Sequence, residues 1–148
     1  MNGAPEYIEI EHDDYVAKYV GRTPDGRQFF LTEPFVPATS AEQGREFLAL
    51  YLFDQSGKLL NAEIRDLGTR GNVADSGCQE TRDGLLTSLG TTEFARIRVK
   101  PFEVERFGVS FGLIPREPED EDDEWAVEAQ PGNYMAFFEP FDSGEYDT

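Results

Sequence analysis

Cysteine and histidine each occur once in this 148-residue chain, as Cys78 and His12. A lone cysteine forms no disulfide within the chain, and a structural zinc site needs four ligands of a kind that Cys78 and His12 together cannot supply. His12-Asp13-Asp14 has the letters of a metal-dependent phosphohydrolase, but such a centre uses several separated histidines. These three residues read instead as a surface turn between strands. A serine triad would rest on His12 alone, with no G-x-S-x-G elbow to expose a serine. A Cys–His nucleophile pair would draw on Cys78 near the start of a predicted helix, where a thiolate is favoured. Helical spacing, however, places Cys78 on the same stripe as Leu85 and Leu89, which favours a small buried hydrophobe. The sequence therefore assigns no catalytic residue, no metal ligand and no cofactor.

Long apolar runs are also missing. No stretch approaches 18 consecutive apolar residues, and Met1 to Glu11 holds neither a basic residue nor an apolar run of seven. The expectation is a cytoplasmic chain with a reduced thiol and no membrane span. Neither G-x-x-x-x-G-K-[ST] nor G-x-G-x-x-G is present, which argues against an ATP or dinucleotide enzyme. Positive charge is scarce: 13 Lys and Arg face 30 Asp and Glu, a net charge of −17. Such a field repels phosphate backbones and anionic lipid, so neither nucleic acid nor a membrane surface is expected as a partner.

What remains is material for a core. Hydrophobic residues make up 39% of the chain, 12 of them Phe, too rich for a disordered acidic segment. The length fits a single domain, 1–148, which buries roughly 68–70% of its unfolded surface. Tyr7 to Ile10, Tyr15 to Gly21 and Gln28 to Thr32 read as strands, with Pro24-Asp25-Gly26 as the hairpin turn between the last two. Glu46 to Phe53 is apolar at nearly every position, as in a central strand covered on both faces. Beyond the turn Asp54 to Gly57, Leu60, Ala62 and Ile64 alternate with Asn61, Glu63 and Arg65, so one face of that partner strand should be wet. Thr69 to Gly77 reads as loop, and Ser76 with Gln79 fits a capping box opening a helix over about 77–89, with Cys78, Arg82, Leu85, Leu86 and Leu89 on one stripe. Gly90 suits the end of that helix and Gly84 weakens its interior.

After the helix the period returns to two. Ala95, Ile97 and Val99 oppose Arg96, Arg98 and Lys100, and Phe107, Val109, Phe111 and Leu113 oppose Gly108, Ser110 and Gly112, which implies a further pair of strands. Trp125 to Ala129 and Tyr134 to Phe138 form a last hairpin around Pro131-Gly132-Asn133, followed by a tail from Glu139. The fold class is therefore α+β, mostly antiparallel hairpins with one short helix packed on the sheet.

Two constellations stand out as candidate sites. Arg96, Arg98 and Lys100 form a basic stripe on one strand face. The plain account is cross-strand pairing with carboxylates such as Glu63 or Glu103; the functional one is an anion or ligand site in a sheet cleft, suited to a small-ligand-binding or hydrolytic domain. The second constellation is the exposed loop 115–124, where Glu119, Asp120, Glu121, Asp122 and Asp123 precede Trp125. It lacks the spaced carboxylate pattern of a calcium loop. Residues 115–148 hold twelve acidic side chains and one basic, a net of −11, and the acids interleave with aromatics up to Phe141 and beyond. An acidic–aromatic surface of this kind suits a basic protein partner.

At Tyr19-Val20-Gly21-Arg22-Thr23-Pro24-Asp25-Gly26-Arg27-Gln28-Phe29-Phe30, and again at Phe141-Asp142-Ser143-Gly144-Glu145-Tyr146-Asp147-Thr148, the chain resembles small bacterial proteins, some of them described as formate hydrogenlyase regulatory (HycA-like) proteins. The resemblance covers about 20 residues, lies in turn motifs that specify a hairpin more than a chemistry, and carries no functional residue across. The expectation is a non-enzymatic protein-binding domain, regulatory or inhibitory in the manner of small acidic immunity proteins. Monomer and homodimer are both open.

Overall fold

The computed structural model describes residues 5–12, 18–37, 44–69, 75–90, 92–132, 135–138, 141 and 144–146, with backbone alone at 75–78 and 144–146. Its strands, numbered in chain order, are β1 (Ile8–Ile10), β2 (Tyr19–Arg22), β3 (Gln28–Thr32), β4 (Phe35–Val36), β5 (Arg45–Phe53) and β6 (Leu59–Thr69). After the helix α1 (Asp75–Thr87) come β7 (Glu93–Phe94), β8 (Ile97–Val99), β9 (Phe102–Arg106), β10 (Val109–Arg116), β11 (Ala126–Gln130), β12 (Met135–Phe138) and β13 (Gly144–Tyr146). All pairings are antiparallel, so the fold is α+β with a single described helix.

The period of two in β5 explains the layering. Phe47, Ala49, Tyr51 and Phe53 point one way and are fully buried, while Leu48 and Leu50 point the other way and are buried too. The first set joins Phe30, Ile64, Ile97, Phe111, Leu113, Val127 and Phe137 in one core, formed where the sheet β6-β5-β3-β2-β7 faces the sheet β9-β10-β11-β12-β13. The second set packs with Phe29, Leu31, Leu85 and Leu89 beneath α1. The result is three layers, helix on sheet on sheet, with β5 covered on both faces as its unbroken apolar pattern requires. Burying Leu85 and Leu89 contributes roughly 1.5–3 kcal/mol each relative to exposure.

Turn chemistry sets the hairpin registers. Gly26 has φ +86° and its amide donates to the Thr23 carbonyl, which closes the β2–β3 turn. In the β5–β6 turn, Asp54 Oδ1 accepts from the Ser56 amide and hydroxyl and from the Lys58 amide. The Ser56 hydroxyl, then the Lys58 amide, hold the Asp54 carboxyl below its ordinary pKa. Strand β4 keeps the register of β3 along the same edge of β5, Thr32 opposite Ala49 and Phe35 opposite Glu46, so Pro34 interrupts one strand without redirecting it.

Several sequence expectations need correction. Strand β6 runs on to Thr69, the first residue of the stretch that reads as loop. Leu60 is 52% exposed because the ladder shifts between Leu52 and Phe53, which sets Leu59 opposite Phe53 and against the core instead. The helix is already formed at Asp75, so Ser76 lies within its first turn and does not cap it. Arg82 leaves the apolar stripe: its guanidinium lies 5.6 Å from the Tyr19 ring centroid and pairs with Glu33 at 2.9 Å. Phe107 is a turn residue with φ +56°, ahead of Gly108 at +72°, and the strand begins only at Val109. The strand carrying Arg98 pairs with β1, and β9, hidden in Phe102-Glu103-Val104-Glu105-Arg106, pairs with β10. The tail holds an edge strand, β13. Asp13, Asp14 and the side chain of Cys78 lie outside the described residues.

Candidate functional site

The basic stripe stands on the outer face of the β1–β8 pair, whose inner residues Ile8, Ile10, Ile97 and Val99 are buried. The Arg98 guanidinium lies 4.0 Å from the Tyr7 ring centroid and the Lys100 ammonium 5.5 Å from it, an arrangement that stabilises an exposed cation by about 0.5–1 kcal/mol. Arg96 reaches Glu11 at 3.3 Å and Glu9 at 3.7 Å. Pairing thus involves Glu9 and Glu11 instead of Glu63 or Glu103, because β1 and not β6 or β9 is the neighbour. The Arg98 amide donates to Gln28 Oε1 at 2.7 Å, which anchors β8 across the end of β3.

The acidic segment is an organised turn between β10 and β11. Arg116, the last residue of β10, donates from its Nη1 to Asp123 Oδ2 at 2.7 Å and from its Nε to Glu128 at 3.0 Å. Asp123 Oδ2 also accepts the Glu119 amide at 3.0 Å, and its Oδ1 accepts the Glu124 amide at 2.9 Å. These donors, Arg116 first, pull the Asp123 carboxyl down to about 2, and Asp123 together with Glu128 raises the Arg116 guanidinium. The Asp122 amide donates to Asp120 Oδ1 at 3.0 Å. Asp123 is therefore used inside the turn, while Glu119, Asp120, Glu121, Asp122 and Glu124 are exposed. Trp125 is half-buried at the turn's end.

Phe141 is placed differently. It is half-buried and packs against the main core, with φ +62°, and its carbonyl accepts the Glu9 amide at 2.9 Å. Its ring contributes to packing, and its backbone ties the C-terminal segment to β1.

Two adjoining hollows that sequence reasoning missed lie between α1 and β6. One, of about 290 Å³, is lined by Glu63, Arg65, Glu80, Thr81, Gly84 and Ser88; the other, of about 190 Å³, by Arg27, Asn61, Glu63, Ser88 and Leu89 over Leu50 and Leu52. They arise because α1 covers β3 and β5 but leaves the helix-side face of β6 open. The wet alternation of Asn61, Glu63 and Arg65 was the available signal; the position of the helix above it was not. Among the described residues no group of three or more His, Cys, Asp or Glu is arranged to hold a metal ion, and no helix is long and apolar enough to cross a membrane.

Comparison with protein-family models, with curated proteins and with solved structures finds no match to this chain.

Proposed function

We propose that the chain is a non-enzymatic protein-binding domain, regulatory or inhibitory, whose acidic turn at 117–124 receives a basic protein. The observation that carries this reading is the division of labour around Asp123. One carboxylate is consumed in fixing the turn through Arg116, and five others, Glu119, Asp120, Glu121, Asp122 and Glu124, are presented to solvent on that fixed backbone. A preorganised anionic surface loses less conformational freedom on binding than a mobile one. The contrast with the rest of the molecule supports the assignment. Arg27, Arg45, Arg65, Arg82 and Arg96 each have a carboxylate neighbour on the chain, Asp25, Asp66, Glu63, Glu33 and Glu11 respectively. The turn carries the densest run of acidic side chains in the chain, seven within 117–124, and such a local field steers a cationic surface and raises its association rate.

The test is capture of basic proteins on the immobilised chain at low and high salt. Binding that weakens steeply as salt rises supports the reading. No capture at either ionic strength, or affinity indifferent to salt, would overturn it.

A further inference from the structure

Strand β6 is the longest in the fold, 11 residues, and among the described residues it pairs with β5 alone. Along its centre the ladder to β5 is unbroken from Asn61 opposite Leu52 to Asp66 opposite Phe47, so no bulge interrupts the strand there. A strand edge of this length presents backbone donors and acceptors that another strand can take. Leu60, Asn61, Arg65 and Asp66 are exposed along it. The segment is also nearly neutral. Residues 59–69 carry Glu63, Arg65 and Asp66, a net of −1 in a chain of −17.

The order of those charges selects the occupant. Glu63 and Arg65 flank Ile64 on the same face of the strand, and within one chain they meet only at 3.5 Å, with side chains 40% and 51% exposed. If a second β6 lies antiparallel across a two-fold axis at Ile64, each residue faces the one equally far beyond Ile64 in the other strand. Glu63 then stands opposite Arg65 of the second copy, and Arg65 opposite its Glu63, two opposite-charge pairs generated by one symmetry element. An isologous interface requires such self-complementarity, and a general strand-adding peptide would not explain it.

We infer that the β6 edge is a homodimer interface, formed by antiparallel pairing of two copies about Ile64. The pairing joins the two six-stranded sheets into one, and α1 of each copy remains on the same outer face. The floor of each hollow then continues across the other copy's β6, so Glu63, Arg65 and Glu80 of the two chains line a single trough between the two α1 helices. The acidic turn belongs to the other sheet and takes no part in this interface, so the inference stands apart from the proposed function.

Sedimentation of the full chain and three variants tests it. The wild-type chain is expected to sediment at twice its 16.7 kDa. E63R alone and R65E alone set like charges opposite each other at both pairs and should weaken association by about tenfold or more. The double variant E63R/R65E exchanges the signs, restores both pairs and should dimerise like the wild type. Thermal melts separate folding from association, and protection of β6 amides from hydrogen exchange should rise with protein concentration. A wild-type chain that stays monomeric at every concentration, single variants that dimerise unchanged, or a folded double variant that does not recover would each overturn the inference.

Discussion

Asp123 does more for the candidate site than the exposed acids around it. Three hydrogen-bond donors converge on its one carboxylate: the Arg116 guanidinium and the backbone amides of Glu119 and Glu124. With its pKa lowered to about 2, the Asp123 contribution to stability is fully present above the ordinary carboxylate pKa and disappears as pH falls through about 2. Asp123→Asn keeps the shape but removes the charge, and the expected outcome is faster hydrogen exchange of the Glu119 and Glu124 amides with the sheets intact. Unchanged exchange at those amides would contradict the role given to Asp123. Gly112 is decisive for a different reason. Its φ is +150°, and a Cβ there would stand 2.2 Å from the Phe102 carbonyl oxygen, so β10 can lie against β9 only with glycine at this place. Gly112→Ala should destabilise the fold by about 1–3 kcal/mol, read from denaturant unfolding. The sequence shows Gly112 as one member of an alternating face; its close approach to Phe102 became visible only once β9 was in place.

At the level of elements, helix α1 tests how the layers hold together. Leu85 and Leu89 seat it on Phe29, Leu31, Leu48 and Leu50, and Gly84 faces a hollow in which an added Cβ meets nothing within 4 Å. Gly84→Ala is therefore expected to stabilise the protein by about 0.5–1 kcal/mol, seen as a higher Tm, because it raises helix propensity without a clash. A fall in Tm would mean that the helix does not sit as described. Leu85→Ala removes packing from the same helix and should destabilise by about 2–5 kcal/mol. These elements were largely legible in advance: β5 from its continuous apolar run, β3 and its turn from Pro24-Asp25-Gly26, and α1 from the spacing of Leu85 and Leu89. Pairing was less legible. Strand β8 alternates as cleanly as any strand in the chain, yet its partner β1 lies nearly 90 residues earlier, and no local pattern records a contact of that range. Strand β9 was missed because Phe102-Glu103-Val104-Glu105-Arg106 follows Pro101 directly and its outer residues are all charged.

For the whole molecule, the acidic side chains of the described residues are used in different ways. Some are paired across the sheets and the helix, as between Arg96 and Glu11 or Arg82 and Glu33; some stand singly at the surface, as Glu6, Glu80, Asp83 and Glu93 do; and one group stands exposed together on the 117–124 turn. The sequence located that last group along the chain through the −11 of residues 115–148, but it could not show that Asp123, within the same run, holds the others in place. Nor could it foretell that Arg96 meets Glu9 and Glu11 while Arg98 and Lys100 meet Tyr7, since those partners come from β1 and its flanks, nearly 90 residues earlier in the chain. If the turn receives a cationic partner, removing its charges must matter more than removing the same number elsewhere on the surface. The most direct measurement is calorimetric titration with a lysine-rich peptide. It compares the wild-type chain with a turn variant, Glu119→Gln, Asp120→Asn, Glu121→Gln and Asp122→Asn, and with a control of equal net charge, Glu6→Gln, Glu80→Gln, Asp83→Asn and Glu93→Gln. The turn variant is expected to lose most of the affinity and of its salt dependence while the control keeps both. Equal losses in the two variants would contradict that role for the turn.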